Sequence, residues 1–305
     1  MSQKNIKNVA ASVKQRLLNK AKEASQPFNE ILQYYSLERF LYRLSTSKYQ
    51  NKFVLKGALL FTVWRQSTVR STVDIDLLGK ISNDPAAIIK VFQEICNVNV
   101  EDDGMRFKSS SVTAEQIALD ADYQGVRVQL YGYISTARIR VQVDIGFSDV
   151  VTPGPEISDY PTILDLPIPR LSCYNKETSI AEKLQTMAKL DIFNSRMKDI
   201  YDIWILSRRF EFDSLHLMNS IINTFKRRGT DITANIVTFT ERYYRNEEKI
   251  NQWDSFLRKS KISDIPANLG EIVLDIKAFL APVLTSIDSG SNFKKMWKPE
   301  LKIWQ

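Results

Sequence analysis

The sequence predicts an α+β protein: an N-terminal mixed sheet flanked by helices, followed by a mainly helical C-terminal domain. Three observations predict it. Runs at 52–56, 73–77, 106–112, 125–134 and 138–149 are short and apolar or alternate apolar with polar, as strands do. Before, between and after them, apolar residues recur at helical spacing. A segment carrying Pro153, Pro155, Pro161, Pro167 and Pro169 then separates the strand-rich part from the helical part. The expected domains are therefore 1–165 and 166–305.

Residues 6–24 and 27–46 read as helices. In the second, Ile31, Leu32, Tyr35, Leu37, Phe40, Leu41 and Leu44 form an apolar stripe that fits core packing. Residues 52–56 form a short strand that turns at Gly57, and residues 58–66 suit a short helix. The next strand holds Asp74 and Asp76. Side chains alternate along a strand, so Val73, Ile75 and Leu77 take one face and the two aspartates the other. Residues 84–97 form a helix opened by a proline, with Ile88, Ile89, Phe92 and Ile95 inward. Glu101-Asp102-Asp103-Gly104 reads as a solvated acidic turn. The strands at 106–112, 125–134 and 138–149 follow, the last two joined by Ser135-Thr136-Ala137. In the last strand Ile139, Val141, Val143 and Ile145 alternate with Arg138, Arg140, Gln142 and Asp144.

Beyond the prolines, residues 172–190 form a helix with Asn175, Thr178 and Ser179 as capping candidates. Its inner face is Ile180, Leu184, Met187 and Leu190, with Lys183 beside it. A second helix starts near Ser195 and puts Lys198, Asp199 and Asp202 on one side, with Lys198 and Asp202 spaced for an ordinary helical ion pair. The remainder reads as helices and loops. Lys226-Arg227-Arg228-Gly229 closes one of them. Trp253, Phe256, Trp297 and Trp304 fit either core packing or base stacking.

Composition narrows the chemistry. The chain has 305 residues, 44% hydrophobic and 25% charged, which suits a folded globular protein with a sizeable core. No apolar run reaches the ~18 residues of a membrane-spanning helix. The basic N-terminal segment reads as an amphipathic helix, not a signal peptide. Cys96 and Cys173 lack metal-site spacing and are expected to be reduced. One histidine, His216, leaves histidine-based nucleophilic catalysis and multi-histidine zinc sites without support. The net charge of +7 suits an anionic partner such as nucleic acid, a nucleotide or an acidic protein, and equally serves solubility.

Chemistry must then rest on carboxylates and cations. Asp74 and Asp76, two residues apart on one strand face, repel each other, and a hard divalent cation held by oxygen ligands relieves that repulsion. Asp144, on the polar face of a strand expected in the same sheet, is the candidate third carboxylate; the plainer reading is a surface aspartate. Arg65, Arg70 and Thr72 lie just before the acidic pair. Arginines there serve either as ion-pair partners or as bidentate phosphate ligands.

These parts, in this order, resemble the polymerase-beta-like nucleotidyltransferase superfamily, and more closely the AbiEii/AbiGii family of bacterial toxins. The matching stretches are ERFLYRLSTSKYQNKFVLKGALL, RSTVDIDLL, VQVDIGFSD, ETSIAEKLQTMAKL and SRMKDIYDIWIL, within roughly residues 10–210. The resemblance implies a cytoplasmic, metal-dependent nucleotidyltransferase toxin of an abortive-infection, phage-defence system. Its expected partners are a cognate antitoxin and RNA, tRNA acceptor ends included, and no membrane. Its expected cofactor is Mg²⁺ or Mn²⁺, with an NTP as substrate. Carried over by motif, Asp74, Asp76 and Asp144 are metal ligands. Gly57 and Ala58, flanked by Lys56 and with Arg70 and Thr72 nearby, form the phosphate side. Lys183 is a triphosphate contact brought by the helical domain, and Lys198, Asp199 and Asp202 match the signature helix. Ala58 stands where serine or glycine is frequent in the superfamily, so no side-chain hydroxyl is available there. Two rival readings stay open: a non-catalytic basic module that binds an antitoxin or nucleic acid, and a kinase-like phosphotransferase on the same fold.

Overall fold

A computed structural model describes residues 8–65, 72–120, 123–260, 262 and 265–305. The chain divides into two compact units. The first comprises residues up to Ser148 together with Glu156–Cys173; the second comprises Asp149–Pro155 and Tyr174–Gln305. Where the sequence suggests one boundary near residue 165, the chain instead leaves the first unit at Asp149, returns at Glu156 and leaves again at Tyr174.

The first unit starts with helices α1 (Val9–Glu23) and α2 (Phe28–Thr46). The stripe read from the sequence is the buried face of α2, with Tyr35, Leu37, Phe40 and Leu41 inaccessible. Strand β1 (Phe53–Lys56) runs through a 3₁₀ turn at Gly57–Leu59 into the one-turn helix α3 (Leu60–Val63). Then come β2 (Asp74–Gly79), α4 (Pro85–Cys96), β3 (Arg106–Phe107), β4 (Thr113–Asp120), β5 (Tyr123–Ile134) and β6 (Ala137–Gly146), and after the excursion β7 (Glu156–Asp159) and β8 (Arg170–Cys173). Helix α4 is capped by Asp84, whose carboxylate accepts from the amides of Ala86 and Ala87, with Pro85 at the first helical position. The sheet order is β3-β5-β6-β2-β1-β8-β7, with β4 also paired to β5. The β2–β6 and β1–β8 pairs are parallel, the others antiparallel. The sheet is thus mixed, as expected.

Alternation gives the sheet two unlike faces. Ile75, Leu77, Val126, Val128, Val141, Val143 and Ile145 are almost wholly buried on one. Gly132 belongs to that face too: a Cβ there would lie 3.1 Å from the Ser36 hydroxyl of α2. The other face carries Lys56, Asp76, Asp144 and Arg127, which are direct cross-strand neighbours over β1, β2, β6 and β5.

Three expectations need correction here. Val73 is 67% exposed and not in the core, because the ladder begins at Asp74. The chain after 106 makes its own strand at Thr113–Asp120, which pairs with the start of β5 and was missed. Asp103 is not solvated. It is 2% exposed and takes a two-pronged hydrogen bond from Arg43 of α2, at 2.7 and 3.0 Å. That neighbour, distant in sequence, turns an acidic loop into an anchored one. The proline segment is tied down within the first unit: Glu38 accepts from the Ile163 amide and Arg39 donates to the Pro167 carbonyl, fastening the chain to α2. Burial pushes the Glu38 carboxyl up to about 7, against the pull of Arg39.

The second unit is helical, with one small sheet. It contains α5 (Lys176–Leu190), α6 (Met197–Arg209), β9 (Phe212–Asp213), α7 (Ser214–Arg227), α8 (Glu241–Tyr244), α9 (Glu247–Ser260), α10 (Leu269–Ser289), β10 (Met296–Lys298) and β11 (Ile303–Trp304). Asn175 caps α5 by accepting from the Thr178 amide, so of the three capping candidates it is the one used. Helix α6 begins at Met197, with Arg196 rather than Ser195 at the cap position. The β9, β10 and β11 strands form an antiparallel sheet absent from the sequence reading. Trp253 and Trp297 are buried, and Trp297 packs against Phe279 and Trp304. Their indole N–H groups donate to the Ala267 and Ser207 carbonyls. Of the two roles left open for these rings, core packing is the one they fill. Arg228 does more than complement a helix dipole: it is buried and paired with Asp149 and Glu182, all in this unit. Cys96 and Cys173 are free and buried. Among the described residues no helix is long and apolar enough to cross a membrane.

Candidate active site

Two clusters hold the site residues expected from the sequence, one in each unit. The first lies on the polar face of the large sheet. β2 presents Asp74 and Asp76 on that face, both half-buried, while Ile75 and Leu77 fix the strand from the opposite side. Parallel pairing sets Asp76 directly beside Asp144 of β6, and antiparallel pairing sets it opposite Lys56. Residues paired across a ladder point to the same side, so the sheet itself brings two carboxylates side by side.

Gly57 makes room for them. Its φ is +74°, a conformation L side chains rarely adopt, and a Cβ there would fall 2.0 Å from an Asp76 carboxylate oxygen. The turn backbone can approach the carboxylate only because this position is glycine. Ala58 is buried in the same turn. Asp74 is braced locally, its Oδ1 accepting from the Thr72 hydroxyl at 2.6 Å. The Thr72 amide in turn donates to the Tyr34 hydroxyl. Gln33, next to Tyr34 on α2, donates to the Val73 and Arg140 carbonyls and so links the start of β2 to β6.

Asp144 is 7% exposed and occupied: both oxygens accept from Arg127, at 2.8 and 2.7 Å. This contact, with the nearby Asp144, Asp74 and Glu115 charges, raises the Arg127 pKa further, against the effect of burial. Arg127 was not singled out from the sequence, although the signal was there. Counting back through the tight turn that pairs Ile134 with Ala137 puts Arg127 opposite Asp144. Gln33 and Tyr34 carried no such signal, since their contacts lie far away in sequence.

Do these groups suit the Mg²⁺ or Mn²⁺ that the resemblance implies? Asp74 and Asp76 supply hard oxygen donors on one rigid strand, and the absence of a side chain at Gly57 lets the Asp76 carboxylate lie directly against the turn. That pair fits. Asp144 fits only as a ligand shared with, or exchanged from, Arg127. Among the described residues, no three His, Cys, Asp or Glu side chains are grouped closely enough to hold one ion. Arg70 lies outside the described residues.

The second cluster lies within the helical unit. Lys183 of α5 is 3.3 Å from an Asp199 oxygen and 3.0 Å from an Asp202 oxygen, both on α6. Arg196 makes a further close hydrogen bond to Asp199. Asp199 and Asp202 are 1% and 0% exposed. Burial alone would raise the Asp199 carboxyl; Lys183 and Arg196 outweigh it and hold it at about 2. The expected Lys198–Asp202 pair is replaced: Lys198 is exposed, and Asp202 turns inward to Lys183. Lys183, Asp199 and Asp202 are thus brought together, while Lys198 is not.

Residues 39–279 match the family model for the nucleotidyl transferase AbiEii toxin, type IV toxin–antitoxin system. No curated protein matches the chain. Among solved structures, the chain is similar to JHP933 from Helicobacter pylori, with 11% identity and a TM-score of 0.46, covering 84% of this chain and 92% of that one. A second H. pylori chain, described as a candidate nucleotidyltransferase, has 12% identity and a TM-score of 0.45, covering 86% and 98%. The family model spans well over half of the chain, and the chain belongs to the AbiEii nucleotidyl transferase toxin family of type IV toxin–antitoxin systems.

Proposed function

We propose that this toxin transfers a nucleotide from an NTP to an RNA acceptor, tRNA ends included, with Mg²⁺ or Mn²⁺ as cofactor and a cognate antitoxin as its counterpart. The observation that carries the reading is the Asp74–Asp76 pair on an accessible strand face beside the Gly57 turn. A divalent ion held there supplies Lewis-acid stabilisation of the phosphoryl oxygens and eases deprotonation of the attacking hydroxyl. The chain's own residues do the rest. Asp74 and Asp76 would hold that ion, and the Thr72 contact keeps the Asp74 carboxylate from rotating away. The Gly57–Ala58 turn offers backbone N–H groups to phosphate, since Ala58 has no hydroxyl to offer. In the helical unit, Asp199 and Asp202 hold the Lys183 ammonium in a fixed place. In the reaction the acceptor oxygen bonds to the α-phosphorus and the α–β phosphoanhydride bond breaks. Pyrophosphate leaves, and the hydroxyl proton passes to solvent or to a carboxylate. Asp144, whose oxygens accept from Arg127 here, would be the further carboxylate available to such an ion.

The test is incubation of purified protein with each labelled NTP, total RNA and Mg²⁺ or Mn²⁺. Label is expected on RNA with the native chain and to be absent with Asp76→Asn, whose fold is retained. Equal labelling by the two proteins sinks the assignment of the site. A product mass showing a bare phosphate rather than a nucleotide redirects the chemistry to a kinase.

A further inference from the structure

The polar face of the first unit's sheet does not end at the aspartates. Along β6 the same side carries Gln142, Arg140 and Arg138, and along β5 it carries Gln129, Tyr131 and Tyr133; the register pairs Gln129 with Gln142, Tyr131 with Arg140 and Tyr133 with Arg138. β3 extends the row by setting Arg106 beside Tyr133. Arg106, Arg138 and Arg140 are exposed and the two tyrosines are half-buried. The guanidinium of Arg106 sits 5.3 Å from the Tyr133 ring centre and that of Arg138 sits 4.8 Å from the Tyr131 ring centre. No acidic residue interrupts β5 or β6 between the Arg127–Asp144 pair and the turn.

We propose that this band of arginines and tyrosines is the docking surface for a single-stranded segment of the RNA acceptor, leading along β5 and β6 to Asp144 and Asp76. The inference rests on the reading of the protein as an RNA-directed transferase and names the surface that reading lacks. Three features argue for it. The charge is of one sign, as a phosphate backbone requires. Tyr131 and Tyr133 stand two residues apart, about 7 Å along the strand, a spacing at which splayed bases can stack on successive rings. The band is continuous with the acidic pair: Arg138 to Asp144 is six residues, or about 20 Å of strand, a reach that suits a short unpaired end. A single strand fits better than a duplex, whose bases are stacked on each other and offer no free ring faces to tyrosines. The guanidiniums now lying on the rings cover the faces that bases would take, and planar cations of this kind can stay in such a stack.

Fluorescence anisotropy with a labelled single-stranded RNA of about 12 nucleotides tests this directly, since such a length matches one strand-binding sheet. The double change Arg138→Gln/Arg140→Gln is expected to weaken binding about ten-fold and to reduce the slope of log K against log salt by about 1.4, two phosphate contacts' worth. Tyr131→Leu/Tyr133→Leu is expected to weaken binding about ten-fold at an unchanged salt slope. If the tyrosine variant proves unfolded by circular dichroism, the exposed arginine pair carries the test alone. Binding unaffected by the arginine pair overturns the proposal. So does equal affinity for duplex RNA, or competition by polyglutamate as effective as that by RNA, which marks a generic basic patch. Mn²⁺–ATP binding, measured on the same variants, should not change. RNA binding on this face without nucleotide incorporation would remove the transferase reading and keep the surface. Incorporation indifferent to Arg138 and Arg140 would do the reverse.

Discussion

The sheet and the helical unit each hold a carboxylate cluster, and the two handle negative charge in opposite ways. On α6, Asp199 and Asp202 are sealed from water and lie against Lys183, with Arg196 on Asp199. On β2, Asp74 and Asp76 stay half-buried, on a face of the sheet where water and ions can reach. Sealed carboxylates need their counter-charges built in, because removing a partner leaves a charge in a poor solvent. Accessible ones can exchange water for a cation. The sealed cluster therefore reads as a device that fixes a lysine, and the open one as a place where something binds.

The contrast can be broken most forcefully at Lys183. Lys183→Met leaves two buried aspartates short of their shared cation and is expected to cost about 3–5 kcal/mol in urea unfolding. A loss below about 1 kcal/mol would mean that the helical cluster is no more dependent on its partner than a surface pair. Asp76→Asn should lie at the other extreme, with little change in stability and lost transfer.

Gly57→Ala comes next. A side chain at φ +74° and the collision with Asp76 are expected to cost about 2–3 kcal/mol, and Mn²⁺ binding should fall with it. Native Mn²⁺ affinity in this variant would show that the cradle is not needed for the ion.

Acid separates the clusters by a smaller amount. Asp199 is held at about 2, below its ordinary value of 3.8, so its ionised form favours the folded state. That contribution, about 2 kcal/mol, is complete above pH ~4 and disappears as the pH falls through ~2. The stability gap between the native chain and Asp199→Asn should therefore shrink between pH 5 and pH 2, measured by urea midpoints on both proteins. A constant gap would contradict the pairing.

The smallest effect is expected at Arg127, whose side chain is 34% exposed. Arg127→Gln should cost only about 1 kcal/mol, because solvent screens the pair. It should also tighten Mn²⁺ binding several-fold by releasing Asp144. Weaker binding would make Arg127 a support for the ion site and not a competitor.

Much of the sheet cluster was legible in the sequence because alternation along a strand is a local rule. It put Asp74 with Asp76 and Asp144 with Arg140, and the structure keeps them so. Helical spacing likewise put Asp199 and Asp202 on one side of α6. What escaped depends on partners distant in sequence. Asp103 looked like a loop acid until Arg43 reached it, and Lys198 looked like the partner of Asp202 until Lys183 arrived from another helix. The strand at Thr113–Asp120 is exposed along much of its length, so its apolar alternation was weak. The C-terminal sheet consists of strands of two and three residues, too short for any period to show.

The parallel pairing of β2 with β6 also bears on the order in which the protein assembles. β5 and β6 are joined by a tight turn and can form on their own, whereas β2 and β6 meet only after the intervening α4, β3, β4 and β5 have been closed into a loop. Pairings of such long sequence separation are slow steps in folding. Asp76 and Asp144 thus first meet late, at a step where two like charges oppose the closure. Arg127 reaches that step already attached to Asp144, on the same hairpin. The cation that restrains this carboxylate in the finished protein is placed to shield it while the sheet is still forming, and refolding of Arg127→Gln should be slowed more than its small loss of stability would suggest.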